Sequence, residues 1–344
     1  MTITSFNSFM ELKTKEKFLV SVIIPCRNEE KFISACLNSL LEQDFPKERL
    51  EILVVNGASS DKTSEIVEEY AKKYRFIKLL QNTKKFTPFG LNLGIGSAQG
   101  EVIVRLDAHA SYSKDYILKC VNHLLESGAQ NVGGVVKTKP AQNTLSARAI
   151  AHSLSHFFGA ASAFRLQVKK PQETDTVFGG CYPKEIFSKI GYFNEKLIRS
   201  QDLEFNLRLK RAGGKIMIFP DIVSYYYPSA TLDGFFRHNF QDGIWVILPL
   251  KFGLAAFSLR HLLPLFFVLS LALSFFLSPF VGFLSFIFLI LFYPYLFLTL
   301  LFSLQIAWRE KSLGLLAFMP LAFILRHFGY GLGSVYGLVK LLKD

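Results

Sequence analysis

The stretch Val102-Ile-Val-Arg-Leu-Asp-Ala-His-Ala110 joins an apolar run to two side chains that can bind a metal ion. Its first five residues are mostly apolar, which predicts a buried strand at 102–106. Asp107 and His109 are two residues apart, so both would point to the same side of an extended chain. A carboxylate and an imidazole on one side suit Mg²⁺ or Mn²⁺, although a solvated Asp and a capping His would give the same pattern.

Composition indicates a chain with a membrane part. Half of the 344 residues are hydrophobic and 35 are Phe, which is high for a soluble enzyme. The net charge of +12 suits nucleic acid, anionic lipid or a phosphorylated substrate. We expect no nucleic-acid partner, because no basic stripe is interleaved with aromatic residues. The cysteines lack metal-type or paired spacing, which predicts reduced, buried thiols at Cys26, Cys36, Cys120 and Cys181.

Strand-like and helix-like segments alternate over the first third of the chain. This alternation predicts an α/β fold with a Rossmann-type, mostly parallel sheet and helices on both faces. Ligands of such sheets bind beyond the carboxyl ends of the strands. Polar loops follow the first, second and fourth predicted strands, at 27–29, 56–61 and 107–109. Three such loops at one edge predict a nucleotide pocket.

A further carboxylate, Asp202, opens the amphipathic run at 200–211. Leu203 and Leu207 predict a helix there, and the helix dipole favours a carboxylate in its first turn. Without further context, simple capping of the helix explains Asp202 equally well.

The C-terminal part is predicted to enter the membrane. Residues 262–308 contain no charged side chain, and at roughly 20 residues per crossing they predict a hairpin of two transmembrane helices, at about 262–279 and 283–305. Basic residues at both outer ends predict that these ends are cytoplasmic. An interfacial helix is predicted at 246–257. The stretch after residue 313 predicts an interfacial or re-entrant segment, with a third span as the alternative.

Five motifs, in this order, resemble those of the family 2 glycosyltransferases. They are Val20-Ser-Val-Ile-Ile-Pro-Cys-Arg-Asn-Glu-Glu30, Val54-Val-Asn-Gly-Ala-Ser-Ser-Asp-Lys-Thr63, Arg105-Leu-Asp-Ala-His-Ala110, Phe178-Gly-Gly-Cys-Tyr-Pro183 and Gly191-Tyr-Phe-Asn-Glu195. The variants Asp-Ala-His and Gln-Asp-x-Glu-x-Asn are most similar to ExoA-type enzymes of succinoglycan and related exopolysaccharide synthesis. The resemblance covers about residues 18–250 and the hydrophobic tail, and it implies a GT-A-like fold.

The resemblance also implies roles for single residues on the donor side. Pro25, Arg27 and Glu29 would border the base and ribose of a nucleoside-diphosphate sugar, with Asp61 near the ribose or diphosphate. Asn56 stands where the family usually has an Asp that reads uracil, which weakens the case for a uridine donor. Asp107 would contact the donor nucleotide and bind the metal with His109, in place of the commoner Asp-x-Asp.

On the acceptor side, the resemblance makes Asp202 the general base that deprotonates the acceptor hydroxyl, giving inversion at the sugar carbon. Processive members carry Gln-x-x-Arg-Trp, whereas the nearest run here is Gln241-Asp-Gly-Ile-Trp245. This departure predicts transfer of one sugar to a lipid-linked acceptor rather than polymerisation. The residues predicted to face the acceptor or the diphosphate are Gly180, Gln201, Arg237, His238, Gln241 and Trp245.

These inferences divide the chain into a lead-in at 1–17, a cytosolic catalytic domain at 18–245 and a membrane region at 246–344. They predict an inverting, Mg²⁺- or Mn²⁺-dependent glycosyltransferase of a bacterial or archaeal cell membrane, active in exopolysaccharide or cell-surface glycan synthesis. Its donor would be a UDP-sugar by preference, its acceptor a polyprenyl-phosphate glycan, and a homo-oligomer is compatible with the sequence. A polyprenyl-phosphate sugar synthase and a non-catalytic scaffold or sugar-nucleotide sensor are the alternatives.

Overall fold

The computed structural model describes residues 18–159, 162–166, 168–252 and 259–343, so the lead-in predicted at 1–17 lies outside the described residues. The chain divides into two compact units. We call Met1–Lys137 with Ser162–Tyr226 the sheet unit, and Thr138–Ala161 with Tyr227–Asp344 the helical unit. The helical unit therefore takes one segment from the middle of the chain.

The described strands form one nine-stranded sheet. Their bounds are β1 Val20–Cys26, β2 Leu50–Asn56, β3 Ile77–Gln81, β4 Val102–Arg105, β5 Ala110–Tyr112, β6 Asn131–Thr138, β7 Gln172–Glu173, β8 Phe178–Pro183 and β9 Ile216–Tyr226. The order is β3-β2-β1-β4-β8-β6-β9-β5, with β7 beside β9.

The first half of the sheet is parallel, as the sequence predicts. β1 pairs in parallel with β2 and β4, and β2 pairs in parallel with β3. Val22, Ile23 and Ile24 of β1 are all fully buried. Successive strand residues point to opposite faces, so this sheet is covered on both sides. The covering helices in this part of the chain are α1 Ile33–Leu41, α2 Thr63–Lys73 and α3 Thr87–Ser97.

The second half of the sheet is antiparallel. β8 runs antiparallel to β4 and β6, and β5 and β7 run antiparallel to β9. β9 is a long strand that runs from Ile216 through Pro220 to Tyr226. Its far end pairs with β5, a long-range partner that the local pattern does not contain.

An aromatic cluster in the sheet unit supports the helix that carries Asp202. The remaining helices of this unit are α4 Tyr116–Ser127, α6 Glu185–Ile190 and α7 Gln201–Arg211, while α5 Leu145–Ser155 belongs to the helical unit. The rings of Tyr182, Phe187 and Phe193 pack around Phe205 of α7 at centroid distances of 5.6, 5.2 and 4.7 Å. The predicted buried, unpaired state of the four cysteines is confirmed.

The described helical unit contains α5 and four further helices: α8 Leu232–Ile247, α9 Leu263–Leu277, α10 Gly282–Arg309 and α11 Leu315–Lys343. Helices α8 and α11 approach closely through glycines. A Cβ on Gly243 of α8 would overlap the Tyr330 carbonyl oxygen, and one on Gly333 of α11 would overlap that of Phe240. Small residues at such contacts let two helix backbones meet.

Two helices, α10 with 28 residues and α11 with 29, are long and apolar enough to cross a membrane. The helix in the first predicted span, α9, has 15 residues and is about 22 Å long, which is shorter than a hydrocarbon core of about 30 Å. The stretch after residue 313 forms one continuous helix. Of the interfacial helix predicted at 246–257, the structure describes a 3₁₀ turn at Leu248–Phe252. The number of crossings stays a prediction.

Candidate active site

The loops that follow β1 and β2 are hydrogen-bonded to each other. The Asn28 amide donates to Ser59 Oγ at 2.9 Å, and the Ser60 amide donates to Asn28 Oδ1 at 2.8 Å. The Glu29 amide donates to Thr63 Oγ1 at 2.8 Å, at the start of α2. These bonds fix Glu29 at the carboxyl edge of the parallel strands, where a nucleotide pocket was predicted.

Three non-glycine residues in the loops of the candidate site have a left-handed backbone conformation. They are Asn28, Ala58 and Ser200, with φ of 57°, 52° and 61°. Such angles are uncommon outside glycine, and each costs about 1 kcal/mol or more. Ser200 directly precedes α7, so the backbone turns sharply just before Asp202.

Asp107 is paired with a buried cation. Its Oδ1 lies 2.7 Å from Nη2 of Arg105, the last residue of β4. The side chains of Arg105 and Asp107 are 11% and 15% exposed. The Asp107 amide donates to the Tyr112 hydroxyl at 2.8 Å, and that hydroxyl donates to the Asp107 carbonyl at 3.1 Å. Arg105 of β4 therefore holds the Asp107 carboxylate, and Tyr112 of β5 holds the Asp107 backbone.

The charge of Asp202 also affects the pKa of Arg105. Burial lowers the pKa of the Arg105 guanidinium, but the carboxylates of Asp107 and then Asp202 raise it above its usual value. Asp202 lies in the first turn of α7, as predicted, and its Oδ1 accepts a hydrogen bond from the Leu203 amide at 3.0 Å. The structure thus brings the two candidate carboxylates into the field of one buried cation.

His109 is oriented by Glu29. Its Nδ1 lies 2.9 Å from Glu29 Oε1, and its ring meets Tyr226 edge-on at 5.4 Å. Burial lowers the pKa of His109, but the hydrogen bond to Glu29 and the charge of Asp107 raise it above its usual value.

The expectation that Asp107 and His109 share one side of an extended strand was wrong in its geometry. β4 ends at Arg105, one residue before the predicted end, and His109 lies in a turn. The turn forms because Tyr112 ties back to the Asp107 backbone. Their orientation therefore comes from Arg105 and Glu29 rather than from strand alternation.

The donor set of this site suits a divalent cation only in part. Asp107 Oδ2 and His109 Nε2 have no hydrogen-bond partner among the described residues, and an oxygen with an imidazole nitrogen suits Mn²⁺ or Mg²⁺. Within the described ranges, no three His, Cys, Asp or Glu residues form a metal-binding group. The pair fits a cation whose remaining ligands are substrate phosphate and water, as Mg²⁺ sites often have.

Gly179 and Gly180 open β8 beside the end of β4. Their φ angles are 72° and 130°, which side chains rarely adopt. A Cβ on Gly179 would lie 2.8 Å from the Arg105 carbonyl oxygen, and one on Gly180 would meet the Tyr182 ring. Gly179 therefore lets β8 lie close to Arg105, and the predicted site residue Gly180 has a backbone role beside the Tyr182 ring. Gln201 is buried, and its Oε1 has no hydrogen-bond partner among the described residues.

Other residues predicted for donor binding lie in the same loops. Pro25 is half-buried at the end of β1, and Arg27 is exposed. Asn56 is buried: its Nδ2 donates to Gln81 Oε1 at 3.0 Å, and its Oδ1 accepts from Ser59.

Asp61 accepts hydrogen bonds from the backbone and hydroxyl of Thr63 at 3.0 and 2.5 Å. Burial raises the pKa of Asp61, but these bonds and one from the Glu30 amide lower it below its usual value. Like Asn56, Asp61 is engaged within its loop.

Four predicted acceptor-side residues lie in the helical unit. Arg237, His238, Gln241 and Trp245 all lie on α8. Arg237 pairs with Asp233 at 3.0 Å, and His238 with Asp242 at 3.3 Å. The residues that the structure brings together within the sheet unit are therefore Glu29, Arg105, Asp107, His109 and Asp202.

Sequence reasoning missed the role of Arg105. The signal was present, since an Arg within an apolar strand is a charge that needs a partner when the strand is buried. The Glu29–His109 pair had no comparable signal, because the two residues are eighty positions apart.

A parallel half-sheet with polar loops at its carboxyl edge, extended by antiparallel strands and a helix that carries a carboxylate, is the architecture of GT-A-like enzymes. The Glycosyl transferase family 2 model matches residues 21–191. The chain belongs to this family and is a glycosyltransferase, as the sequence predicted.

Relatives extend the similarity beyond these residues. The chain is 31% identical over 332 residues, 93% of its length and 97% of the relative's, to the dolichyl N-acetyl-alpha-D-glucosaminyl phosphate 3-beta-D-2,3-diacetamido-2,3-dideoxy-beta-D-glucuronosyltransferase of Methanococcus voltae. It is 24% identical to the succinoglycan biosynthesis protein ExoA of Rhizobium meliloti, over 69% of this chain and 76% of that protein.

Among solved structures, the mannosyltransferase PcManGT of Pyrobaculum calidifontis aligns with a TM-score of 0.52 at 21% identity, over 70% of this chain and 69% of that one. At this identity the alignment supports the fold, and the GT-A-like fold class is confirmed.

Proposed function

We propose that this glycosyltransferase moves one sugar from a nucleoside-diphosphate sugar to a lipid-linked acceptor at a membrane, with inversion at the sugar carbon. The observation that carries the proposal is the position of Arg105 in the field of both Asp107 and Asp202. Arg105 pairs with Asp107 at 2.7 Å, and the charge of Asp202 raises the pKa of the same guanidinium.

On the donor side, Asp107 and His109 would hold Mn²⁺ or Mg²⁺ together with the diphosphate. Such a cation neutralises the charge that builds on a leaving diphosphate. Two solved structures with a similar fold contain Mn²⁺: PcManGT with GDP-Man, and GalNAc-T7 with UDP and GalNAc. We propose a UDP-sugar as the donor, and a donor panel tests the base.

On the acceptor side, Asp202 takes the proton of the attacking hydroxyl. The hydroxyl oxygen bonds to the sugar carbon while the bond from that carbon to the diphosphate breaks, so a single displacement inverts the centre. A general base must reach the acceptor hydroxyl within hydrogen-bond distance, which the first turn of α7 would allow Asp202 to do.

Two observations support a lipid-linked acceptor. The name of the Methanococcus voltae relative, aligned over nearly the whole chain, gives a dolichyl-linked sugar phosphate as its acceptor. Two C-terminal helices, α10 and α11, are long and apolar enough to cross a bilayer. We propose that the sheet unit works on the cytoplasmic side.

The experiment is nucleotide release by the full chain in detergent. UDP- and GDP-sugars are tested with and without Mn²⁺ and with a polyprenyl-phosphate-linked sugar. We expect one donor to be turned over. Asp202→Asn should lose about 100-fold or more, since positioned bases contribute that much, and Asp107→Ala should lose about as much, since it removes a ligand of the metal that would stabilise the leaving diphosphate. Asp221→Asn is the matched control, because this exposed carboxylate of β9 pairs with His123 at 3.0 Å, and its rate should stay within about twofold.

The outcomes separate the alternatives. An Asp202→Asn enzyme that keeps most of its activity contradicts the general base and favours transfer to bare polyprenyl phosphate, whose ionised oxygen needs no base. Turnover that a chelator leaves unchanged contradicts the metal role of Asp107 and His109. Nucleotide binding without release, across all donors and acceptors, contradicts the proposed transfer.

A further inference from the structure

Arg326 lies within the apolar helix α11 and is held by two neutral oxygens. Its Nε donates to the Gly159 carbonyl at 3.0 Å, and its Nη1 donates to Asn239 Oδ1. Asn239 is fully buried on α8, and its Nδ2 donates to the Phe235 carbonyl at 2.7 Å. The Asn239 oxygen is therefore fixed toward the guanidinium.

No described residue neutralises this charge. The described acidic residues of the helical unit are Asp233, Asp242 and Glu310. Asp233 pairs with Arg237, Asp242 with His238, and Glu310 with Arg309 at 3.3 Å. The guanidinium thus has three of its five N–H groups without a partner among the described residues.

Satisfying a backbone carbonyl does not explain a permanent charge. The neighbouring His327 bonds the Phe158 carbonyl through Nε2 at 2.7 Å, and its Nδ1 meets the Tyr295 hydroxyl at 3.1 Å. A side chain that need not be charged therefore satisfies the adjacent carbonyl of the same segment. An unpaired charge within an apolar, membrane-type helix is costly unless an anion offsets it.

We propose that Arg326 binds the phosphate or diphosphate group of a lipid within the helical unit. A guanidinium with two fixed hydrogen bonds presents its free N–H groups in one plane, which suits two phosphate oxygens. Where the bound lipid is the acceptor, this proposal rests on the proposed function. A bilayer phospholipid offers the same phosphate group. The experiment distinguishes these two sources.

Asn239→Asp is the decisive variant. It places a carboxylate where the Asn239 oxygen already meets Arg326, so the charge is neutralised while the contact remains. A purely structural Arg326 would tolerate this change, whereas an anion-binding Arg326 would lose its ligand. Arg326→Gln removes the charge, Arg326→Lys keeps it, and Arg309→Gln removes an exposed cation of the same unit as the control.

Binding is measured by native mass spectrometry and thermal shift on the full chain in detergent, with polyprenyl phosphate, phosphatidylglycerol or inorganic phosphate. We expect Asn239→Asp and Arg326→Gln to weaken lipid-phosphate binding by about 10-fold or more, Arg326→Lys by less, and Arg309→Gln by under about twofold. The melting temperature of Asn239→Asp without lipid should match that of the parent.

If phosphatidylglycerol does not displace bound polyprenyl phosphate, the ligand is the acceptor lipid. If the two lipids displace each other equally, the ligand is a bilayer lipid. Both results support the site. Unchanged lipid binding in Asn239→Asp and Arg326→Gln overturns it, as does binding of inorganic phosphate alone. Asp202→Asn should lose transfer and still bind the lipid, because it leaves the Arg326 site unchanged. Lipid binding by the parent protein without transfer from any donor supports the Arg326 site and contradicts only the proposed function.

Discussion

Two of the three glycines of helix α3, Gly94 and Gly96, differ in what surrounds them. A Cβ on Gly94 would lie 2.5 Å from Ile23 Cγ2 and 3.3 Å from Val55 Cγ2, on the two central parallel strands. A Cβ on Gly96 would have nothing within 4 Å. Replacing each glycine by alanine therefore gives the same gain in helix propensity, but only Gly94→Ala adds a steric cost.

The magnitudes follow from this difference. Gly-to-Ala in a helix interior stabilises by about 1 kcal/mol, so Gly96→Ala should raise the free energy of unfolding by that amount. An added methyl group in a packed core costs about 1–3 kcal/mol, so Gly94→Ala should lie between neutral and about 2 kcal/mol less stable than the parent. The gap between the two variants, about 1–3 kcal/mol, isolates the steric cost.

The assay uses the cysteines, since all four lie buried in the sheet unit. Burial raises the pKa of Cys26 to about 12, so a folded unit reacts slowly with a thiol reagent. The labelling rate in increasing urea then reports the opening of this unit without interference from the helical one. A Gly94→Ala protein as stable as Gly96→Ala would refute the packing argument.

Two further predictions concern the helical unit and the site. The added Cβ of Gly333→Ala meets the Phe240 carbonyl oxygen, so this variant should have a lower melting temperature, followed by tryptophan fluorescence. Gly282→Ala faces open space and should keep the melting temperature of the parent. Equal melting temperatures for the two variants would contradict the close α8–α11 contact. Arg105→Met leaves Asp107 unpaired and should destabilise the sheet unit by about 3–5 kcal/mol in the thiol assay, and a loss under about 1 kcal/mol would show that water already shields this pair.

The parallel half of the sheet could be predicted from the sequence because its signals are local. Both ends of helix α2 have a local signal, since Thr63 follows a turn-rich run and the apolar period stops at Lys73. The buried strand β1 was visible as an apolar run that ends before a polar loop. Such runs and periods depend on neighbours in the chain, so no tertiary information is needed to see them.

The antiparallel half of the sheet and the site's ion pairs depend on distant neighbours instead. β9 continues through Pro220 because β5 and β7 pair with its two ends. In the sequence, Arg105 is an unexplained charge in an apolar strand. The structure shows its ion pair with Asp107 and the effect of the Asp202 charge on its pKa. Periodicity shows which residues are buried, but it does not show which charged side chains form pairs.

The substitution of His for a second carboxylate at position 109 follows from the same pairing. Glu29 Oε1 lies 2.9 Å from His109 Nδ1, so a carboxylate at 109 would set two like charges against each other in a partly buried loop. Arg105 and Asp107 form the matching pair at 2.7 Å. The site thus contains two side-chain pairs, Arg105 with Asp107 and His109 with Glu29. The motif Asp-x-His is therefore a consistent alternative to Asp-x-Asp in a chain that carries Glu29.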